Sequence, residues 1–194
     1  MTVVKDHNYP IEKHYVNTED GYILCMFRIS GPKGSSAVQN ANQRKLNPNQ
    51  RPKPVLFYQH GLMDSAAGIC VDGLDSMAFY FADLGFDVWM GNSRGNRYSK
   101  NHRYLESSQE EFWNFSFYEL GRFDLPAQIS YILTETRAPN LTYIGHSQGT
   151  TQMFSALAEE AEWYRERVNL FVMLAPVVRV DRCNNPNLKS MIEN

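Results

Sequence analysis

Leu141-Thr142-Tyr143-Ile144-Gly145-His146-Ser147-Gln148-Gly149-Thr150-Thr151-Gln152-Met153-Phe154-Ser155-Ala156-Leu157-Ala158 decides how this chain is read. A short apolar run leads into Gly-x-Ser-x-Gly, and a helical pattern follows at once. Strand, sharp turn and helix in that order are what an exposed nucleophilic serine requires. The glycines permit a turn that side chains would block. The helix N-terminus then brings free N–H groups and the positive end of its dipole to the reacting centre.

The motif alone is weak. With glycine and serine each near ~7% of residues, chance supplies it in about one chain in twenty of this length. This chain also contains Gly91-Asn92-Ser93-Arg94-Gly95. Both copies follow a strand candidate. After Gly95, however, Asn96-Arg97-Tyr98-Ser99-Lys100-Asn101-His102 shows no apolar periodicity. Ser93 therefore reads as a loop residue and Ser147 as the nucleophile.

Outward from the elbow, short apolar runs recur at Val55–Gln59, Phe86–Met90, Leu141–Ile144 and Leu170–Leu174. Runs of this length bounded by turn residues suit strands covered on both faces. Helical patterns separate most of them. Leu74, Met77, Ala78, Phe81 and Leu84 share one helical face, and Leu125, Ile129, Ile132 and Leu133 share another. Asp124 is the expected N-cap of the latter. Alternating strands and helices predict an α/β fold, a mostly parallel sheet with helices on both faces. Nearer the start, Glu19-Asp20-Gly21 between strand-like arms in His14–Ile29 predicts an antiparallel hairpin. Residues 31–54 are polar and rich in turn formers, and read as a surface loop.

Gln59-His60-Gly61-Leu62 closes the first apolar strand of the parallel series. In hydrolases built around such an elbow, the loop after that strand donates one N–H to the oxyanion, and the residue after the nucleophile donates the other. Those donors would be the backbone N–H groups of Leu62 and Gln148.

Composition narrows the remaining classes. Hydrophobic residues make up 43% and charged residues 21%, which excludes a disordered or fibrous chain. A formal charge of −2 argues against a nucleic-acid partner. Cys25, Cys70 and Cys183 form no CxxC pair, so neither a zinc site nor a disulfide framework is expected. Cys25, in an apolar run, reads as a buried thiol. No window approaches the ~18 apolar residues of a membrane span. Met1 to Asn8 lacks the apolar segment of a secretory signal peptide.

Taken together, Asp20-Gly21-Tyr22-Ile23-Leu24, Gln59-His60-Gly61-Leu62, Asn92-Ser93-Arg94-Gly95-Asn96, Glu111-Phe112-Trp113-Asn114-Phe115-Ser116-Phe117, Phe123-Asp124-Leu125-Pro126-Ala127 and Tyr143 to Thr151 resemble the acid lipases, which include the gastric and lysosomal enzymes. The similarity runs from about Tyr9 to Val178. It implies part of an α/β-hydrolase fold, with Ser147 as nucleophile and Leu62 and Gln148 as oxyanion donors. It implies hydrolysis of lipid esters such as triacylglycerols or steryl esters, contact with a lipid interface, and no metal or organic cofactor. It also implies a secreted or lysosomal location, which the N-terminus by itself does not indicate. Residues 1–180 would then be the N-terminal portion of the lipase domain, with 31–54 a local insertion, and 181–194 the start of a truncated cap.

The triad order in such hydrolases is Ser, Asp or Glu, then His. No histidine follows Ser147, and Asp181 is the only later aspartate. His60 belongs to the oxyanion strand end. The elbow should aim His146 elsewhere, and His7, His14 and His102 have no predicted path to the site. Two readings follow: an incomplete lipase, or a catalytically inactive lipid- or partner-binding product. Either way, the last strand is expected to expose an apolar edge and make the chain poorly soluble.

Overall fold

A computed structural model describes residues 1–40 and 51–179. After a short first helix, α1 (Thr2–Asp6), the Asp-Gly turn produces the expected hairpin. β1 (Ile11–Asn17) pairs antiparallel with β2 (Tyr22–Ile29), from Ile11 opposite Ile29 to Asn17 opposite Ile23. Gly21 makes this turn with a φ of 104°, a conformation L side chains resist.

The later strands are β3 (Val55–Gln59), β4 (Asp87–Met90), β5 (Asn101–His102), β6 (Leu141–His146) and β7 (Val168–Leu174). They form one sheet in the order β1-β2-β4-β3-β6-β7, with β5 also paired to β2. The β4-β3-β6-β7 part is parallel, and β2 joins it antiparallel through β4. This is the mostly parallel α/β architecture that the alternating runs predict. The two-residue β5 has no counterpart in the apolar pattern, being too short to show one.

Strand alternation divides the core between the two faces of the sheet. Leu56, Tyr58, Val88, Met90 and Ile144 pack on one side with Ala78, Phe79 and Ala82 of α2 (Met77–Asp83). Val55, Phe57, Trp89, Leu141 and Tyr143 pack on the other. There they meet Leu125, Ile129 and Ile132 of α3 (Leu125–Thr136) and Met153 and Ala156 of α4 (Gln148–Arg167). Each large aliphatic or aromatic side chain so covered contributes ~1.5–3 kcal/mol. Among the described residues no helix is long and apolar enough to cross a membrane.

Two helical expectations are corrected. The buried face of α2 is Ala78, Phe79 and Ala82, while Leu74, Met77 and Leu84 stand exposed. Phe79 packs into the sheet's core cluster and Tyr9 stacks on it with ring centroids 4.4 Å apart, so the sheet and the N-terminal segment together cover this face. Asp124 does not cap α3. The helix begins further back, at Phe117–Glu119, where Ser116 and Glu119 form a capping box, and passes through a π-helical turn at Leu120–Asp124. Asp124 is thus an interior helical residue, and its carboxylate is engaged by Arg94 instead.

Residues 41–50 of the polar loop and all of 181–194, with Asp181 and Cys183, lie outside the described residues. Cys25 and Cys70 are free, buried thiols. β7 is paired to β6 alone among the described residues. Leu170 is 53% exposed and Met173 46%. Leu170, Val172 and Leu174 border an apolar groove of about 290 Å³ with Met77, Phe81 and Phe86. Such an edge promotes association. The 194-residue chain is expected to elute as assemblies in size-exclusion chromatography, and Leu170→Lys to shift it toward monomer. A monodisperse parent would contradict this.

Candidate active site

Ser147 connects β6 directly to α4, with φ 51° and ψ −117°. A non-glycine residue in this region costs of order 1–3 kcal/mol, so the surroundings must hold it there. They do so on three sides. Ser147 N–H donates to the Leu174 carbonyl at 2.9 Å. Its own carbonyl accepts from Thr150 N–H at 2.8 Å and Thr150 Oγ1 at 2.6 Å. Tyr143 Oη reaches the Gly149 carbonyl at 2.7 Å, tying β6 to the first turn of α4.

The motif glycines are required by close approach. A Cβ on Gly145 would lie 2.8 Å from the Gly149 carbonyl oxygen. One on Gly149 would lie 2.4 Å from the carbonyl oxygen of Gln59, at the end of β3. The second contact sets the N-terminus of α4 against the strand end from which the His60-Gly61-Leu62 loop departs.

That loop abuts Ser147. A Cβ on Gly61 would meet Ser147 Cβ at 3.0 Å. Leu62 N–H and Gln148 N–H find no acceptor among the described residues. For Gln148 this follows from its place in the first helical turn. The loop continues as a tight turn in which Met63 takes a φ of 60° and Asp64 N–H returns to the Gly61 carbonyl at 3.4 Å. Of the three residues proposed from sequence, Ser147 and Gln148 are consecutive, and Leu62 directly follows the glycine that abuts Ser147. Ser147 and Gln148 are half-buried, and Leu62 is 42% exposed.

Ser93 is placed very differently. It lies in a loop and is 4% exposed. Its Oγ accepts from the Gln59 and Gln152 carboxamides at 2.7 and 3.2 Å. The next residue, Arg94, is a buried hub. Its guanidinium bonds Asp20 at 2.5 and 2.9 Å and Asp124 at 2.7 Å, and lies 3.9 Å from the Tyr22 ring centre. It also gives its backbone N–H to Asp124 at 2.9 Å. Burial pushes the Asp124 carboxyl up to about 6 against the pull of Arg94, whereas the more open Asp20 is held below its ordinary value by Arg94 and Thr18. The hub joins the hairpin turn, the Asn-Ser-Arg-Gly-Asn loop and the π-helical turn, three segments that sequence spacing could not bring together.

No histidine among the described residues hydrogen-bonds the Ser147 hydroxyl. His14 is held by Tyr131 and Glu12, and His102 by the Asp20 carbonyl and the Tyr104 and Leu105 N–H groups. His7 packs edge-on against Phe79. His60 is turned to the Gly61 carbonyl and the Ser93 loop. No group of three or more His, Cys, Asp or Glu among the described residues could hold a metal.

Residues 54–192 match the family model described as alpha/beta hydrolase fold, and residues 1–72 match a partial alpha/beta-hydrolase lipase region. The chain belongs to the alpha/beta hydrolase fold family. Within it, the chain is similar to proteins named lysosomal acid lipase/cholesteryl ester hydrolase. Identity is 46% with that of Macaca fascicularis and 44% with that of Homo sapiens, each over 188 residues. The match takes in 96% of this chain and 44% of each relative, so this alpha/beta hydrolase chain spans less than half their length. Lipase 1 of Drosophila melanogaster is 41% identical over 91% of the chain and 36% of its own. Among solved structures, DcsB in complex with its substrate analogue superposes with a TM-score of 0.62 at 16% identity, over 94% of this chain and 50% of that one. The Pyrococcus furiosus esterase Pf2001 gives 0.53 at 15%, over 84% and 51%. At these identities the structural likeness speaks for the fold alone.

Proposed function

We propose that this chain carries the nucleophile and oxyanion hole of a serine hydrolase acting on lipid esters through an acyl-enzyme. The observation that carries the reading is the strained Ser147 turn with the Gly61 backbone packed against it. Ser147 Oγ attacks the ester carbonyl. The N–H groups of Leu62 and Gln148 receive the negative charge that develops on the carbonyl oxygen. The serine proton passes through a base, imidazole in the experiment below, to the alcohol, which departs as its ester C–O bond breaks and leaves an acyl-serine. Losing one oxyanion donor typically costs ~10²–10³ in rate. The substrate class rests on the named relatives, lysosomal acid lipase/cholesteryl ester hydrolase, to which the chain is 44–46% identical.

Mass spectrometry of the intact chain after treatment with p-nitrophenyl decanoate in imidazole buffer tests this reading. One decanoyl group on Ser147, and none in Ser147→Ala, is the expected result. Equal labelling of Ser147→Ala would overturn it. The contrary reading, a non-catalytic lipid binder, draws on the hydrogen bonds and ring contacts that hold His7, His14, His60 and His102 away from Ser147. Decanoate binding without acylation would select it.

A further inference from the structure

We propose that His60 is a positioning residue that aims the Leu62 N–H at Ser147 by clamping the opposite end of the same peptide. This rests on the serine-hydrolase reading above and adds to it the part that shapes the oxyanion hole.

The tautomer of His60 follows from its partners. Nδ1 lies 2.7 Å from the Gly61 carbonyl oxygen, which can only accept, so Nδ1 carries the proton. Nε2 is then bare. It accepts from Ser93 N–H at 3.1 Å and from Asn96 Nδ2 at 3.0 Å. Asn96 is itself fixed, donating to Asn92 Oδ1 at 2.7 Å and accepting from Tyr98 N–H at 2.9 Å. The ring is 2% exposed, and its burial lowers the imidazole pKa against the opposing Gly61 hydrogen bond and Asp64, with His146 adding to the lowering. His60 is thus a neutral imidazole with both nitrogens engaged.

A trans peptide is planar, and its C=O and N–H point in opposite directions. Holding the Gly61 oxygen toward His60 therefore sends the Leu62 N–H the other way. Gly61 needs such a clamp. A Cβ there would crowd Ser147 Cβ at 3.0 Å, which favours glycine at this position. Glycine, however, places almost no steric limit on the rotation of the following peptide. The Asp64 N–H contact to the same oxygen is long, at 3.4 Å, and cannot match a 2.7 Å bond. The second Gly-x-Ser-x-Gly copy thereby acquires a role: its Ser93 supplies a backbone donor to the clamp and leaves its hydroxyl buried among glutamines.

The test pairs His60→Asn with His60→Gln. Asparagine keeps a donor near the Nδ1 position; glutamine places its polar atoms near Nε2. Acylation of Ser147 by p-nitrophenyl decanoate should fall ~10²-fold in His60→Gln, with KM little changed, and recover to within ~10-fold of the parent in His60→Asn. A residue serving stability alone would show rates that track the melting temperatures of the two variants, and that outcome overturns the clamp. In parallel, ¹⁵N-histidine labelling of the unmodified chain reads the ring directly, in solution or in a sedimented sample. A protonated Nδ1 and bare Nε2 at neutral pH support the proposal. An Nε2–H tautomer or an imidazolium overturns it, even if neither variant folds. If Ser147 in the parent takes no acyl group, the serine-hydrolase reading fails by itself. The clamp is then judged by the ring tautomer and by whether the Leu62 amide resonance moves in His60→Gln.

Discussion

Turnover of p-nitrophenyl butyrate by the purified 194-residue chain is expected to lie about 10⁶-fold below that of a hydrolase with an intact triad, the cost of losing the triad histidine. The physical reason is the weakness of a neutral hydroxyl as a nucleophile when no base takes its proton. Of the five histidines in these 194 residues, the four with hydrogen bonds or ring contacts are held away from Ser147. The remaining one, His146, makes no hydrogen bond to Ser147 among the described residues. Its Nδ1 comes within 3.4 Å of where a Gly61 Cβ would stand. After subtraction of imidazole's own hydrolysis of the ester, free imidazole should raise the rate in proportion to its concentration, and Ser147→Ala should abolish that protein-dependent increase. Rapid hydrolysis without imidazole, lost in Ser147→Ala, would show instead that one of these histidines reaches the serine.

The second large effect is on stability. Arg94→Met is expected to destabilise the fold by about 3–5 kcal/mol, the usual cost of leaving the other member of a buried ion pair unpaired. Asp124 is fully buried and receives both the guanidinium and the backbone N–H of Arg94. Removing the cation raises its folded-state pKa further above the unfolded value. A carboxyl raised in this way adds stability at low pH and loses it as pH rises through the folded pKa. The deficit of Arg94→Met should therefore be larger at pH 8 than at pH 5. Adding Asp124→Asn should recover part of it, because an amide needs no counter-charge. Urea unfolding at the two pH values measures all three quantities. A deficit independent of pH would mean that the arginine acts through packing on Tyr22 rather than through Asp124.

Much of the architecture is legible in local pattern. Val55–Gln59 is buried on both faces and Leu141–Ile144 nearly so, and both show as short, mostly apolar runs, while the Asp-Gly pair marks the hairpin turn that Gly21 completes with a φ of 104°. Choosing Ser147 over Ser93 also needed only local information, since a helix must follow the turn and just one copy has a helical sequence after it. α2 shows the limit of such reasoning. Its apolar residues cover more than one face, and the face that turns inward meets sheet residues and Tyr9, the latter some seventy residues away in sequence.

The sequence by itself determined the strand–turn–helix unit around Ser147, the hairpin and the class of fold, because these depend on neighbours within a few residues. Only the tertiary structure decided what surrounds the serine. It brings the Gly61 backbone to Ser147 because β3 and β6 are adjacent and parallel, so their C-terminal ends emerge together. It also turns Asp124 from an expected helix cap into the buried partner of Arg94, and His60 from a strand-end residue into a neutral imidazole held on both nitrogens. Hydrogen bonds between residues 30 or more positions apart leave no periodicity in a sequence, since their geometry exists only after the sheet has formed.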